Sequence, residues 1–193
     1  MRQIIIITTL LFSVIMSGCG PSKKDYSLAE RRRMIDDMSN QTLQRLYIEK
    51  PAAQQQVADA AGYGVFSNAN AYIVFASVGG GYGVVVDKVT GRKTYMRVGA
   101  GGLGIGLGAK DYQQVVIFNT RKALIDFVGS GWNVGGQADA TAKSGETGGG
   151  MAGEGSISKD VRMYTLTDTG LALQATVTGW RYWVDDELNQ PHL

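Results

Sequence analysis

From Gly102 to Gly108 glycine occupies every second position, with Leu103, Ile105 and Leu107 between. A helix has no use for a period of two, whereas a strand places the apolar residues on one face and the glycines on the other. A face of bare backbone admits close approach, so either a helix packs across it or a lipid acyl chain or headgroup lies there. The stretch Gly99 to Gly104 also fits G-x-G-x-x-G. A dinucleotide site needs that motif to open a helix after a strand, and the alternation that follows excludes it. Glycine as a whole numbers 27 in 193 residues, roughly twice the usual ~7%, without a collagen period.

Around this run the chain divides into three regions. Ser27-Leu28-Ala29-Glu30 has the form of a capping box that opens a helix. Leu28, Ile35, Met38, Leu43, Leu46 and Tyr47 recur at helical spacing, with a break expected near Ser39-Asn40. Pro51 suits the first turn of a second helix reaching Ala61, and Gly62 stops it. From Tyr63 the period becomes two. Strands are expected at Ala71–Val78 and Gly81–Asp87, with Gly79-Gly80-Gly81 joining them. After a hairpin turn at Val89-Thr90-Gly91, further strands follow at Lys93–Val98 and Gln113–Phe118. Asn119 or Thr120 caps a helix from Arg121 to Val128 that Gly129 closes. Trp132–Ala138, Val161–Thr167 and Leu171–Trp183 read as strands, the last entered through Asp168-Thr169-Gly170. Ala140–Gly155 is rich in Gly, Ala and Ser and reads as a mobile loop. The expected fold is α+β: a compact antiparallel β-barrel or sandwich, an N-terminal helical pair and one further short helix.

The N-terminus reads as an address. Met1-Arg2-Gln3 precedes the apolar run Ile4–Met16, too short for the ~20 residues of a spanning helix and suited to a signal-peptide core. It ends in Met16-Ser17-Gly18-Cys19, which resembles a bacterial lipobox, and Cys19 is the chain's single cysteine. The expected organisation is a lipoprotein signal peptide over 1–18, an acylated tether over 19–26 and a single domain over 27–193. Acyl chains on Cys19 would hold the protein to a bilayer. Gly20 differs from the aspartate that resembles an inner-membrane retention signal, so the expected location is the periplasmic side of the outer membrane.

Composition limits the chemistry. A net charge of +2 is far from the basic surface of a nucleic-acid binder. One histidine, His192 near the C-terminus, and one cysteine leave no metal-ligand spacing and no base to activate a hydroxyl. Asp36-Asp37 and Asp185-Asp186-Glu187 are adjacent carboxylates whose side chains diverge, which suits a solvated surface. No enzyme activity, cofactor or metal is expected. The candidate lipid-binding residues fall in three groups. Lys23, Lys24, Arg31, Arg32 and Arg33 follow the anchor closely, where each cation adds ~1 kcal/mol near an anionic bilayer, although Glu30, Asp36 and Asp37 would make them an ordinary solvated face. Trp180, Arg181 and Trp183, with Tyr182, combine amphipathic aromatics with a cation, although such aromatics also serve as core. Arg121 and Lys122 sit in a first helical turn, where the helix dipole does not favour cations.

Several blocks in order carry a family resemblance. Gly62-Tyr63-Gly64-Val65-Phe66, Gly79-Gly80-Gly81-Tyr82-Gly83-Val84, Gly99 to Gly108, and Asp111 with Val115-Val116-Ile117-Phe118-Asn119 and Ala123-Leu124 are similar to the SYLF-domain family. Gly135-Gly136-Gln137-Ala138, Tyr164-Thr165-Leu166 and Gly170-Leu171 extend the resemblance, which covers about Asp37 to Trp183. It implies a compact β-barrel-like domain with a helical pair, and lipid binding, often of anionic or phosphoinositide lipids. Eukaryotic members also bind actin; bacterial members resemble secreted or lipidated envelope proteins. Thr169 stands where many members have a basic residue, and Thr178 precedes Gly179 where an acidic residue is common, so headgroup specificity does not carry over. Two functions follow as expectations. Either the domain binds phospholipid, anionic by preference, beside its anchor, or it is a scaffold for an envelope protein or cell-wall partner and touches lipid through the acyl chains alone.

Overall fold

The computed structural model describes residues 26–130, 133–134, 154–167, 170–171 and 177–191. The signal peptide, Cys19, Lys23, Lys24 and most of the expected 140–155 loop lie outside the described residues. Helix α1 spans Leu28–Glu49, α2 Ala52–Asp59 and α3 Arg121–Ser130. The strands are β1 (Gly62–Asp87), β2 (Lys93–Phe118), β3 (Asn133–Val134), β4 (Glu154–Ser158), β5 (Val161–Thr167), β6 (Gly170–Leu171) and β7 (Val177–Val184). All pair antiparallel in one sheet, with β3-β7-β2-β5-β4 in order, β1 on β2 and β6 on β5.

The dominant element is a ribbon. β1 pairs with β2 from Gly62↔Phe118 to Val86↔Lys93, with a register shift between Val74 and Ala76. Asp87 turns the hairpin: its side chain accepts from the backbone N–H of Val89 and Thr90, and Gly91 takes φ 71°. Along its free edge β2 pairs first with β7, Met96–Leu103, and then with β5, Gln113–Phe118. The separate strands expected at 71–78 and 81–87, and at 93–98, 102–108 and 113–118, are therefore two continuous ones. Glycines that read as connections stay in the ladder, because a glycine removes a side chain and keeps both backbone hydrogen-bonding groups.

The ribbon folds back on itself, and glycine is what permits it. A Cβ added at Gly81 would lie 1.9 Å from the Ser67 carbonyl oxygen, and one at Gly83 would lie 2.2 Å from that of Val65. A third, at Gly62, would lie 2.4 Å from the oxygen of Val86. The two halves of β1 thus meet backbone to backbone. The Lys88 N–H closes the corner by donating to Ala61 O at 3.1 Å. Between the layers lie Phe66, Val85, Met96, Val98, Val116, Phe118 and Tyr182, with Phe127 of α3 at one end. Tyr182 meets Phe66 edge-on at 4.7 Å and donates to the buried Gln114 Oε1, which also accepts from Asn68. The barrel-or-sandwich alternative resolves toward two facing layers; among the described residues the sheet does not close into a barrel.

The helices cover the outer faces. Leu43 and Leu46 of α1 pack with Ala53 and Val57 of α2 on Val65, Val115, Ile117 and Tyr164. The first half of α1 lays Ile35 on Val84, Tyr95 and Leu188. No break occurs at Ser39-Asn40, since Ser39 is buried on the same inward face as Ile35 and no Pro or Gly interrupts the ladder. α2 ends at Asp59, before the expected Ala61, whose N–H donates to Phe118 O and so belongs to the sheet. α3 runs through Gly129 to Ser130. Glu154 and Gly155 belong to β4 and not to the expected loop. Of the strand expected at 132–138, Asn133 and Val134 are described. Of the last strand, Gly170–Leu171 folds back on β5 and Val177–Val184 pairs with β2.

Candidate functional site

The first turn of α1 is fastened to the C-terminal turn. Ser27 and Glu30 complete the capping box reciprocally, side chain to backbone, and this fixes where the next residues point. Arg31 turns inward and is 4% exposed. Its guanidinium lies 3.9 Å from Asp185 and 3.3 Å from Glu187. Asp185 also accepts from Arg97 Nε at 2.7 Å, and its other oxygen takes the N–H of Glu187 and Leu188. Burial pushes the Asp185 carboxyl up. The Arg97 hydrogen bond, the Leu188 N–H and the charges of Arg97 and Arg31 outweigh that and hold it below the usual carboxylate range. Arg32 donates to Leu188 O and Gln190 O at 2.8 and 2.7 Å and lies over the Tyr95 ring. Asp36 holds Lys93 at 2.8 Å and faces the Tyr95 hydroxyl. Burial, then the charge of Asp36 and its hydrogen bond, push that phenol up to about 12.

This arrangement corrects the basic-cluster expectation. Arg31 and Arg32 are not a headgroup-facing pair, because helical phase and the carboxylates of the C-terminal turn commit them to a clasp. Arg33 alone of the three is exposed, beside Glu30. The reading of Asp185-Asp186-Glu187 as a plain solvated surface is corrected in the same way: Asp185 is buried.

The aromatic strand divides by its own alternation. Trp180 and Tyr182 turn inward, Trp180 against the inter-layer core and edge-on to Tyr112 at 6.1 Å. Arg181 and Trp183 turn outward and are exposed. The Trp183 ring lies over Gly99, 3.3 Å from where a Cβ would stand. Trp180 is therefore core, and Arg181 and Trp183 remain together as a cation–aromatic pair. Arg121 is exposed and reaches Asp87 at 3.5 Å, which joins α3 to the hairpin. Lys122 pairs along its own helix with Asp126. Beside them a cavity of about 300 Å³ opens between α3 and the start of β5, floored by Phe118, Phe127 and Val161 and rimmed by Lys122, Asp126 and Asp160. Lys122 and Arg121 thus stand apart from the Arg181–Trp183 pair, at another part of the surface.

The sequence did not reveal the rest of the outward face, which is formed by Val78, Gly80, Tyr82, Arg97, Gly99 and Gly101. The signal was the register of three strands, which no single segment carries. The side chains of residues 102–110 lie outside the described set, so the glycine face expected at Gly102 to Gly108 is a strand here and no more is described of it. Its strand backbone leaves no helix start for a dinucleotide. Among the described residues no three His, Cys, Asp or Glu side chains come together to hold a metal, and no helix is long and apolar enough to cross a membrane.

Comparison with known proteins agrees with the resemblance drawn from the glycine blocks. Residues 99–191, from mid-β2 through the clasp, match the family model described as Ysc84, Las17-binding protein actin regulator. Beta cell expansion factor A of Aeromonas veronii is 32% identical over 163 residues, covering 83% of this chain. The chain spans 60% of the length of that relative. Over residues 99–191 the chain is thus a Ysc84-type, or SYLF-type, domain.

Proposed function

We propose that this protein is a non-enzymatic lipoprotein of a bacterial cell envelope. In this reading Cys19 carries the acyl chains, the anchor sits in the outer membrane on its periplasmic side, and the SYLF-type domain contacts phospholipid there, anionic by preference. The family, a lipid-binding or actin-regulator type of domain, supports the contact with phospholipid. The observation that carries the reading is the exposed Arg181–Trp183 pair. A cation beside an amphipathic ring suits the headgroup layer, where a phosphate and an apolar chain are both within reach.

Vesicle co-sedimentation of the Gly20–Leu193 protein, which lacks Cys19 and its acyl chains, tests the reading. Binding to phosphatidylglycerol or cardiolipin vesicles that weakens with salt, and little to neutral ones, is the expected result. No binding to any vesicle would overturn direct lipid contact and leave the acyl chains as a simple tether. An envelope scaffold for a protein or cell-wall partner would then be the better account, and in-cell crosslinking would identify that partner.

A further inference from the structure

One face of the sheet is half covered. Paired residues form rows across β1, β2 and β7: Tyr82–Arg97–Trp183, Gly80–Gly99–Arg181 and Val78–Gly101–Gly179. The preceding row, Val84–Tyr95, is buried beneath Ile35 of α1 and Leu188. Beyond that row the cover thins: Tyr82 and Arg97 are half-buried, Tyr82 against the same cluster, and Val78, Gly80, Gly101, Arg181 and Trp183 are exposed. Val78 is 52% and Trp183 41% exposed. A Cβ at Gly80 would meet nothing nearer than Val98 O at 3.7 Å. Arg181 projects from this face and makes no ion pair among the described residues, unlike Arg97, which Asp185 holds.

The clasp fixes where the chain enters this surface. Arg31 and Arg32 bind the turn that follows β7, so Tyr26 and Ser27 lie at the same end of the fold as Trp183. Gly20–Tyr26, fully extended, reaches at most ~25 Å. A domain held that close to its anchor presents its uncovered face at high effective concentration.

We propose that this uncovered face, Val78–Gly80–Tyr82 with Gly99–Gly101 and Arg181–Trp183, docks on the phospholipid leaflet that holds the anchor. The proposal rests on the lipid reading above and adds a face and an orientation to it. At Gly80 and Gly101 no side chain rises from the floor, whereas the Trp183 ring lies over Gly99. Trp183 and Val78 enter the interfacial layer, and Arg181 meets phosphate. Lys23 and Lys24 of the tether add charge of the same sign, which an anionic leaflet accommodates.

The test uses the full acylated protein in proteoliposomes containing phosphatidylglycerol. Acylation of Cys19 leaves an introduced cysteine as the single thiol. An environment-sensitive fluorophore is placed on Val78→Cys or on Ile48→Cys. Ile48 is 81% exposed and stands ~30 Å along α1 from its first turn. Nitroxide-labelled lipid is expected to quench the Val78 probe several-fold more than the Ile48 probe. Equal quenching on protein that sediments with the vesicles would overturn the docking face while the lipid reading survives. A free Cys19 thiol with no vesicle association would overturn both. As a second measure, Arg181→Gln in the Gly20–Leu193 protein is expected to weaken binding to anionic vesicles about five-fold. Unchanged binding would also count against this face.

Discussion

At the scale of single residues, the glycines divide by what lies above them. Gly81 and Gly83 sit beneath the carbonyls of Ser67 and Val65, where backbone cannot yield, whereas a Cβ at Gly80 would make only an ordinary contact, 3.7 Å from Val98 O. Gly81→Ala is expected to cost about 3 kcal/mol or more through forced separation of the layers. Gly80→Ala, a residue away, should leave the urea midpoint nearly unchanged. Equal effects would refute the close-approach account. Asp185 makes a second case. Its carboxyl is depressed in the fold, so its contribution is present above the ordinary carboxylate value of ~3.9 and is lost as pH falls below that. Stability should therefore drop below about pH 4. Asp185→Asn should flatten that acid limb while costing about 3 kcal/mol at neutral pH, because Arg31 loses a buried counter-charge. Parallel acid limbs in the two proteins would place the titration elsewhere. Arg31 shows why the sequence misled: three consecutive arginines read as a patch, but successive helix residues are ~100° apart, so the three cannot share an environment.

At the scale of elements, local signals were read well and long-range ones were not. The Ser27–Glu30 box, the Asp87–Gly91 hairpin and strand Val161–Thr167 follow from adjacent residues, and each lies where the sequence put it. The continuity of β1 and β2 was illegible because glycine clusters carry turn propensity, and only the partner strand shows that the ladder continues through them. The inward turn of Trp180 followed from alternation, but which parity faced the core depended on Phe66 and Phe127, distant in sequence. The clasp depends on contacts between the two ends of the chain, and no local pattern announces them. A prediction follows for α1. Arg32→Ala removes two bonds to carbonyls of the C-terminal turn and should raise hydrogen exchange at Leu188 and Asn189 by an order of magnitude, with little change at β5. Uniform exchange changes would show that the turn is not held separately. Ser27→Ala removes the cap and should cost about 1 kcal/mol, read as a lower urea midpoint.

At the scale of the molecule, a folded ribbon of two long strands gives two outer faces. The helices cover one with α1 and α2 and the other only as far as Ile35 reaches. The clasp sets the entry of the chain at the open end. Tyr95, pushed up to about 12, adds a basic limit at the same place: the neutral phenol is the form the fold accommodates, so stability should fall as pH rises from about 10 toward 12. Tyr95→Phe should remove much of that loss, as a pH series of melting temperatures would show.

The most direct measurement is photocrosslinking in intact envelopes, with a diazirine-bearing phospholipid supplied to cells that make the wild-type protein. Mass spectrometry of the recovered peptides then maps the lipid adducts. Adducts are expected on Val78–Tyr82, Gly99–Gly101 and Arg181–Trp183, with the outer face of α1 beyond Gln41 unmarked. Adducts confined to the acylated N-terminus, or concentrated on α3 and the cavity beside it, would contradict docking on that face.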